Sequence, residues 1–170
     1  MRKVEVVDYR PEWPALFEAE AARIAVVFGE DLLALHHIGS TSVRGMAAKP
    51  VIDILGEARD ILAVDSHNDA MRTAGFLAKG EYGLPGRRFF IKSGNARACH
   101  VHIYQTGHPD IERHLAFRDY LRTHPEPVRE YATLKRSLAA RFPADIDAYC
   151  DGKDSWVKET ERIALAWRRG

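Results

Sequence analysis

HIGSTSVRGMAAKPVIDI, residues 37–54, places a Gly-Ser turn one short segment ahead of an aspartate set in an apolar run. Leu32, Leu33 and Leu35 lead into the turn as one buried strand, and Val51, Ile52, Ile54 and Leu55 surround Asp53 as a second. A carboxylate in such a run is either a charge at a strand end, solvated or paired with Lys49, or a metal ligand. In the second reading it aims at a phosphate held by the backbone N–H groups of Gly39, Ser40 and Thr41. Gly39 lets the chain approach closely, and Ser40 offers a small hydroxyl where a larger side chain would collide. Strand, turn and strand-borne aspartate in this order favour the functional reading over the bare dipeptide.

Working outward, periodicity supplies the other elements. After a short strand-like start, Leu16, Phe17, Ile24, Val27 and Phe28 recur on one face of a helix over 11–29 that stops at Gly29. Strands are expected at 31–38 and 50–56, a helix at 61–74 ended by Gly75, and a third strand from 76 to 79. GEYGLPGRR, residues 80–88, is loop chemistry. Residues 88–92 and 98–105 read as hairpin arms joined through Ser93, Gly94 and Asn95. Helices follow at 110–122, 126–141 and 145–168, separated by Pro125, Pro127 and Pro143. The pattern predicts an α/β domain with a mixed sheet flanked by helices and a helical C-terminal layer.

With 170 residues and 46% hydrophobic content, the chain is expected to form a single domain over 1–170. Its 25 Lys and Arg against 24 Asp and Glu make nucleic acid an unexpected partner, so any basic site must be local. No apolar run approaches the roughly 20 residues that span a bilayer, and MRKVEVVDYRPEW lacks a signal peptide's apolar core. The expectation is a cytoplasmic protein without a membrane partner. Cys99 and Cys150 lack zinc-type spacing and read as reduced, semi-buried residues. Trp13, Trp156 and Trp167 read as packing anchors, with no interleaved basic residues to suggest stacking on single-stranded nucleic acid.

His100 and His102 are two apart in a strand and therefore share a face, opposite Cys99, Val101 and Ile103. They form either a polar sheet face or a functional pair. From Tyr82 to Arg97 the chain carries Arg87, Arg88, Lys92 and Arg97 and no acidic residue, a local basic segment able to close over an anion or to pair with nearby helices. Arg118 and Arg122 can face the same cleft, with Asp119 orienting one of them. Tyr131 with Lys135, and Tyr149 with Lys153, are four apart and stack on one helix face, as pocket lining or as packed tyrosines with snorkelling lysines.

Several stretches resemble the GrpB family of the nucleotidyltransferase superfamily: VVDYRPEWPALFEAE, HIGSTSVRGMAAKPVIDIL, GEYGLPGRRFFIK, CHVHIY, ERHLAFRDYLRTHP, YATLK and YCDGKDSWVKE. The likeness runs nearly end to end, and implies a nucleotidyltransferase-like sheet. In some bacteria the family is fused to dephospho-coenzyme A kinase. The superfamily usually carries two acidic residues, one apart, on the strand of Asp53, but here the partner position is Leu55. A third carboxylate usually stands where the H-x-H strand runs. Glu57 and Glu81 are off the expected spacing, so ordinary two-magnesium transfer lacks carboxylate oxygen. A typical family member has proline where this chain has Arg44, which adds charge near the turn.

The resemblance and the residues together imply a site in which Asp53, His100 and His102 are the catalytic and metal-ligating groups. Gly39, Ser40, Thr41, Lys49, Arg87, Arg88 and Arg118 would bind phosphate. The expected partner is a small phosphate ligand such as a nucleotide, and the expected cofactor a divalent ion: magnesium first, manganese or zinc if the histidines ligate. Three functions remain open: nucleotidyl transfer from a nucleoside triphosphate to a small acceptor, a non-catalytic nucleotide- or coenzyme A-related binding module, and a metal-dependent hydrolase.

Overall fold

Asp53 and His102 come together because β2 (Ile52–Ala58) and β5 (Cys99–Gln105) run parallel at the centre of a five-stranded sheet. The computed structural model describes residues 3–94 and 98–170, so Asn95 of the expected hairpin joint, and Arg97, lie outside the described residues. The strand order is β1-β2-β5-β4-β3, with β1 (Leu32–Ile38), β3 (Leu77–Ala78) and β4 (Arg88–Lys92) each antiparallel to its neighbour. It is the mixed α/β sheet that the sequence predicts.

One sheet face carries Ile52, Ile54, Phe90, Val101 and Ile103, which pack on Trp13, Ile24 and Phe28 of α1 (Trp13–Phe28) and on Met71 of α3 (Asn68–Thr73). Helix α1 takes Pro14 in its first turn and ends at Gly29, whose φ of 55° needs no β-carbon penalty. The other face carries Leu55 and Tyr104, which pack with Ile38 against Ile111 of α4 (Pro109–Thr123). Helices α5 (Pro125–Arg141) and α6 (Ile146–Arg169) complete that layer. The Asp145 side chain accepts from the Ala148 N–H at the start of α6, satisfying one of the donors that a helix N-terminus leaves open. None of the described helices is long and apolar enough to cross a membrane.

Two expectations need correction. The strand-like start makes a single bridge, Val7 with Ala48, rather than a strand. The helix expected at 61–74 is broken into α2 (Ile61–Val64), a 3-10 turn at Asp65–His67, and α3. The break is held by side chains: His67 pairs with Asp31 at 2.7 Å, and Asp65 receives Arg88 at 2.7 Å. Such long-range pairs override local helix preference.

Candidate functional site

The Gly39–Ser40 turn is clamped from both sides of the sheet. Ser42 Oγ donates to the Gly39 carbonyl at 2.5 Å, and His37 Nε2 lies 2.9 Å from Thr41 Oγ1 while its ring stacks on Phe17. From α4, Arg122 Nε donates to the Ser42 carbonyl at 2.9 Å and an Arg118 terminal nitrogen to the His37 carbonyl at 3.3 Å. Arg118 Nε also donates to Asp119 at 2.8 Å, the pairing the sequence suggested. Burial, then the charge of Arg122, lowers the His37 pKa to about 4, which keeps this hinge of the turn neutral.

The segment 43–50 folds back on the turn and brings Lys49 beside Ser40. The resulting cavity, about 280 Å³, is lined by Ser40, Thr41, Lys49, Asp53, His100, Lys135, Tyr149 and Lys153. Lys135, 2% exposed, donates to Ser40 Oγ at 2.9 Å and lies 4.2 Å from the centre of the Tyr131 ring. Lys49 and Lys153 stand 5.3 and 5.1 Å from the centre of the Tyr149 ring. Burial, then Lys153, Arg136 and Lys49, lowers the Lys135 pKa to about 7, and burial, then Lys49, lowers that of Lys153. A second lobe of about 350 Å³ shares Asp53, Cys150 and Lys153 and adds His102, His114, Phe117 and Tyr131.

Asp53 is the carboxylate between the lobes. His102 Nε2 and His100 Nδ1 lie 3.4 and 3.7 Å from its Oδ1, so the H-x-H pair does face Asp53 across the parallel register. Burial opposes the charge on Asp53, but the hydrogen bond and charge of His102, then His100 and Lys49, outweigh it and hold the carboxyl below its ordinary value. Arg87, 6% exposed, reaches His102 Nδ1 at 3.3 Å while donating to the Glu81 and Tyr82 carbonyls. His114 adds a ring 5.5 Å from that of His102, its pKa lowered to about 3 by burial and then by Arg113.

Arg88 leaves the candidate set. It pairs across the ladder with Ile103, on the face opposite His102, and its guanidinium bonds Asp65 at 2.7 and 3.1 Å. Arg44 is exposed and lines a separate cavity with Tyr9 and Arg122, on the outer side of the turn. Cys150 is exposed in the cleft rather than semi-buried, Cys99 is buried, and both are free. Trp13 is buried and Trp156 stacks on Tyr131, whereas Trp167 is half-exposed.

The donor set does not fit a metal centre. Among the described residues no group of three or more His, Cys, Asp or Glu is placed to hold an ion. Leu55 is fully buried among Ile38, Tyr104 and Ile111, Glu57 is paired with His36 at 2.7 Å, and Glu81 accepts from the Gly86 N–H at 2.5 Å. In the first lobe Asp53 is the one carboxylate among three lysines and His100, a charge balance that suits an anion better than a divalent cation, while Asp154 and Glu161 line the second lobe. Lys49 was expected in the site, whereas for Lys135 and Lys153 pocket lining was only one of two readings, snorkelling being the other, of the repeated Tyr-to-Lys spacing of four on α5 and α6.

The crystal structure of the conserved protein GrpB from Enterococcus faecalis superposes with a TM-score of 0.93 over 98% of this chain and 100% of that one, at 42% identity. Among curated proteins, UPF0157 protein YqkA of Bacillus subtilis is 51% identical over 99% of this chain, which spans about half of YqkA, 49% of its length. A dephospho-CoA kinase of Mycolicibacterium paratuberculosis is 30% identical over 96% of this chain and 46% of that protein. The structure of Cid1 in complex with the UTP analog UMPNPP aligns with 72% of this chain at 13% identity and a TM-score of 0.48, a likeness too slight to build on. The family model described as GrpB protein matches residues 3–162, and the chain belongs to the GrpB family.

Proposed function

We propose that the cleft binds a small phosphate-bearing molecule, a nucleotide or a coenzyme A-related compound, without a protein-held metal pair. The observation that carries this is the convergence of Lys49, Lys135 and Lys153 with the Ser40 hydroxyl on one cavity whose single carboxylate, Asp53, is engaged by two histidines. Ammonium groups in a partly dehydrated pocket attract phosphate oxygens more strongly than they would in water, and each anionic oxygen relieves their mutual repulsion. Likeness to a segment that makes up 46% of a dephospho-CoA kinase supports the coenzyme A side of the reading.

Nucleotidyl transfer by two magnesium ions is the less favoured function, because Leu55 replaces the carboxylate that would share them. A hydrolase built on Asp53, His100 and His102 meets the same want of ligands. A thermal-shift screen of nucleotides and coenzyme A derivatives, each with and without magnesium, manganese and zinc, tests the reading. The expected result is a ligand-dependent rise in melting temperature that needs no metal. A rise seen only with a metal would return the transferase and hydrolase readings to the front.

A further inference from the structure

Ser40 and Lys135, both in the anion-binding cavity, also form a hydroxyl–amine pair. Lys135 arrives from α5, is 2% exposed, and sets its Nζ 2.9 Å from Ser40 Oγ. Among the described residues no carboxylate forms an ion pair with it. Around it stand Lys49 before β2, Asp53 on β2, Tyr149, Cys150 and Lys153 on α6, and Tyr131 and Arg136 on its own helix. Most of these groups are cationic or neutral, and the pKa of about 7 that burial and its neighbours impose lets Lys135 give up its proton near neutrality. Ser40 Oγ lines the same cavity, on a turn that Gly39 bends with φ 72° and ψ −174°. A hydroxyl within hydrogen-bond reach of an amine that can shed its proton near neutral pH can be activated as a nucleophile.

We propose that Ser40 accepts a phosphoryl group from the bound ligand, with Lys135 as its general base. The inference rests on the phosphate-binding reading of the cleft. In the step, Lys135 Nζ takes the proton from Ser40 Oγ as the Oγ–P bond forms. The bond from phosphorus to the donor's leaving oxygen breaks, and that oxygen keeps the electron pair and takes the proton back from Lys135. Lys49 and Lys153 stand where they can balance charge on the phosphoryl oxygens, which in two-metal enzymes falls to the ions. The donor class is a phosphate ester or mixed anhydride with a stable leaving group, and the product on the protein is phosphoserine.

Incubation of the full chain with p-nitrophenyl phosphate or acetyl phosphate, followed by intact-mass and peptide mass spectrometry, tests the step. The expected result is the mass of one phosphoryl group on the peptide that carries Ser40, absent in Ser40→Ala. In Lys135→Met its rate of appearance should fall about a hundredfold, the lower range of what a general base contributes. If Lys135→Met does not fold, Lys135→Arg keeps the charge but holds its proton, and should lose the label equally. In wild type the labelling rate should climb as pH rises through about 7. Phosphate binding by thermal shift with no label in wild type would overturn the inference while sparing the binding reading. No binding and no label would remove both, and a label on another residue, or one indifferent to Lys135, would also overturn the inference.

Discussion

A β-carbon built on Gly39 would stand 2.8 Å from Asp53 Oδ2, so the turn and the site carboxylate can coexist only because residue 39 has no side chain. The backbone there, φ 72° and ψ −174°, lies in a region open essentially to glycine alone. Gly39→Ala should therefore lose about 1–3 kcal/mol from backbone conformation, and should displace Asp53 as well. Urea unfolding measures the first effect and ligand titration the second. Wild-type behaviour in both would mean that the turn is not locked against Asp53.

Leu55 lies two residues beyond Asp53 on the same strand face, where a second carboxylate would have to stand to share a metal pair with it, and it is fully buried against Ile38, Tyr104 and Ile111. Leu55→Asp should cost several kcal/mol, since a charge replaces packed hydrocarbon, and magnesium should recover little of it. The urea midpoint with and without magnesium reads the balance. A stable variant with a new magnesium affinity would show a latent two-metal centre and favour transfer chemistry.

Acid should weaken the fold through His37. In the folded chain this residue takes a proton only near pH 4, against 6.5 ordinarily, so between those values the unfolded chain holds more protons. The stability contributed by neutral His37 is complete above pH 6.5 and is lost as pH falls towards 4. At about 1.4 kcal/mol per pH unit the loss is on the order of 3 kcal/mol. His114, lowered to about 3, acts in the same direction. Melting temperatures from pH 4 to 7.5 should show a steep acid limb in wild type and a shallower one in His37→Gln; equal slopes would exclude His37 as the cause.

Two neighbouring arginines should behave differently. Arg87 touches His102, which lines the cleft, whereas Arg88 is tied to Asp65 on the far face of the sheet. Arg87→Gln should reduce ligand affinity. Arg88→Gln should leave it unchanged and cost at most about 1 kcal/mol in stability, the usual worth of a partly exposed ion pair. Equal losses of affinity would mean that the basic loop acts as one charged patch regardless of strand face.

The sequence exposed the centre of the fold because β1 and β2 are short apolar runs on either side of the Gly-Ser turn, and β5 alternates its histidines with apolar residues. His100 and His102 fall opposite Val101 as the two-residue period requires, and that period also carries Arg88 away from His102 and Arg87. A run of basic residues conceals that parity. The break at Asp65–His67 was hidden because its partners, Asp31 and Arg88, are distant in sequence. Lys135 and Lys153 were legible as helical neighbours of Tyr131 and Tyr149, but whether they snorkel outwards or turn into a cavity depends on how α5 and α6 dock. Arg118 was expected to face the cleft and bind phosphate; its bond to the His37 carbonyl depends on how α4 docks on β1, which the sequence does not display.

Calorimetric titration of inorganic pyrophosphate into wild type, Lys49→Met and Lys153→Met, all without divalent metal, addresses the cleft most directly. Each lost ammonium should weaken binding about tenfold or more, since a charge-assisted hydrogen bond contributes roughly 1.5–3 kcal/mol. Measurable wild-type affinity that falls in both variants is the expected result. Affinity in wild type that neither substitution changes, or none at all, would contradict a phosphate site built from Ser40, Lys49, Lys135 and Lys153.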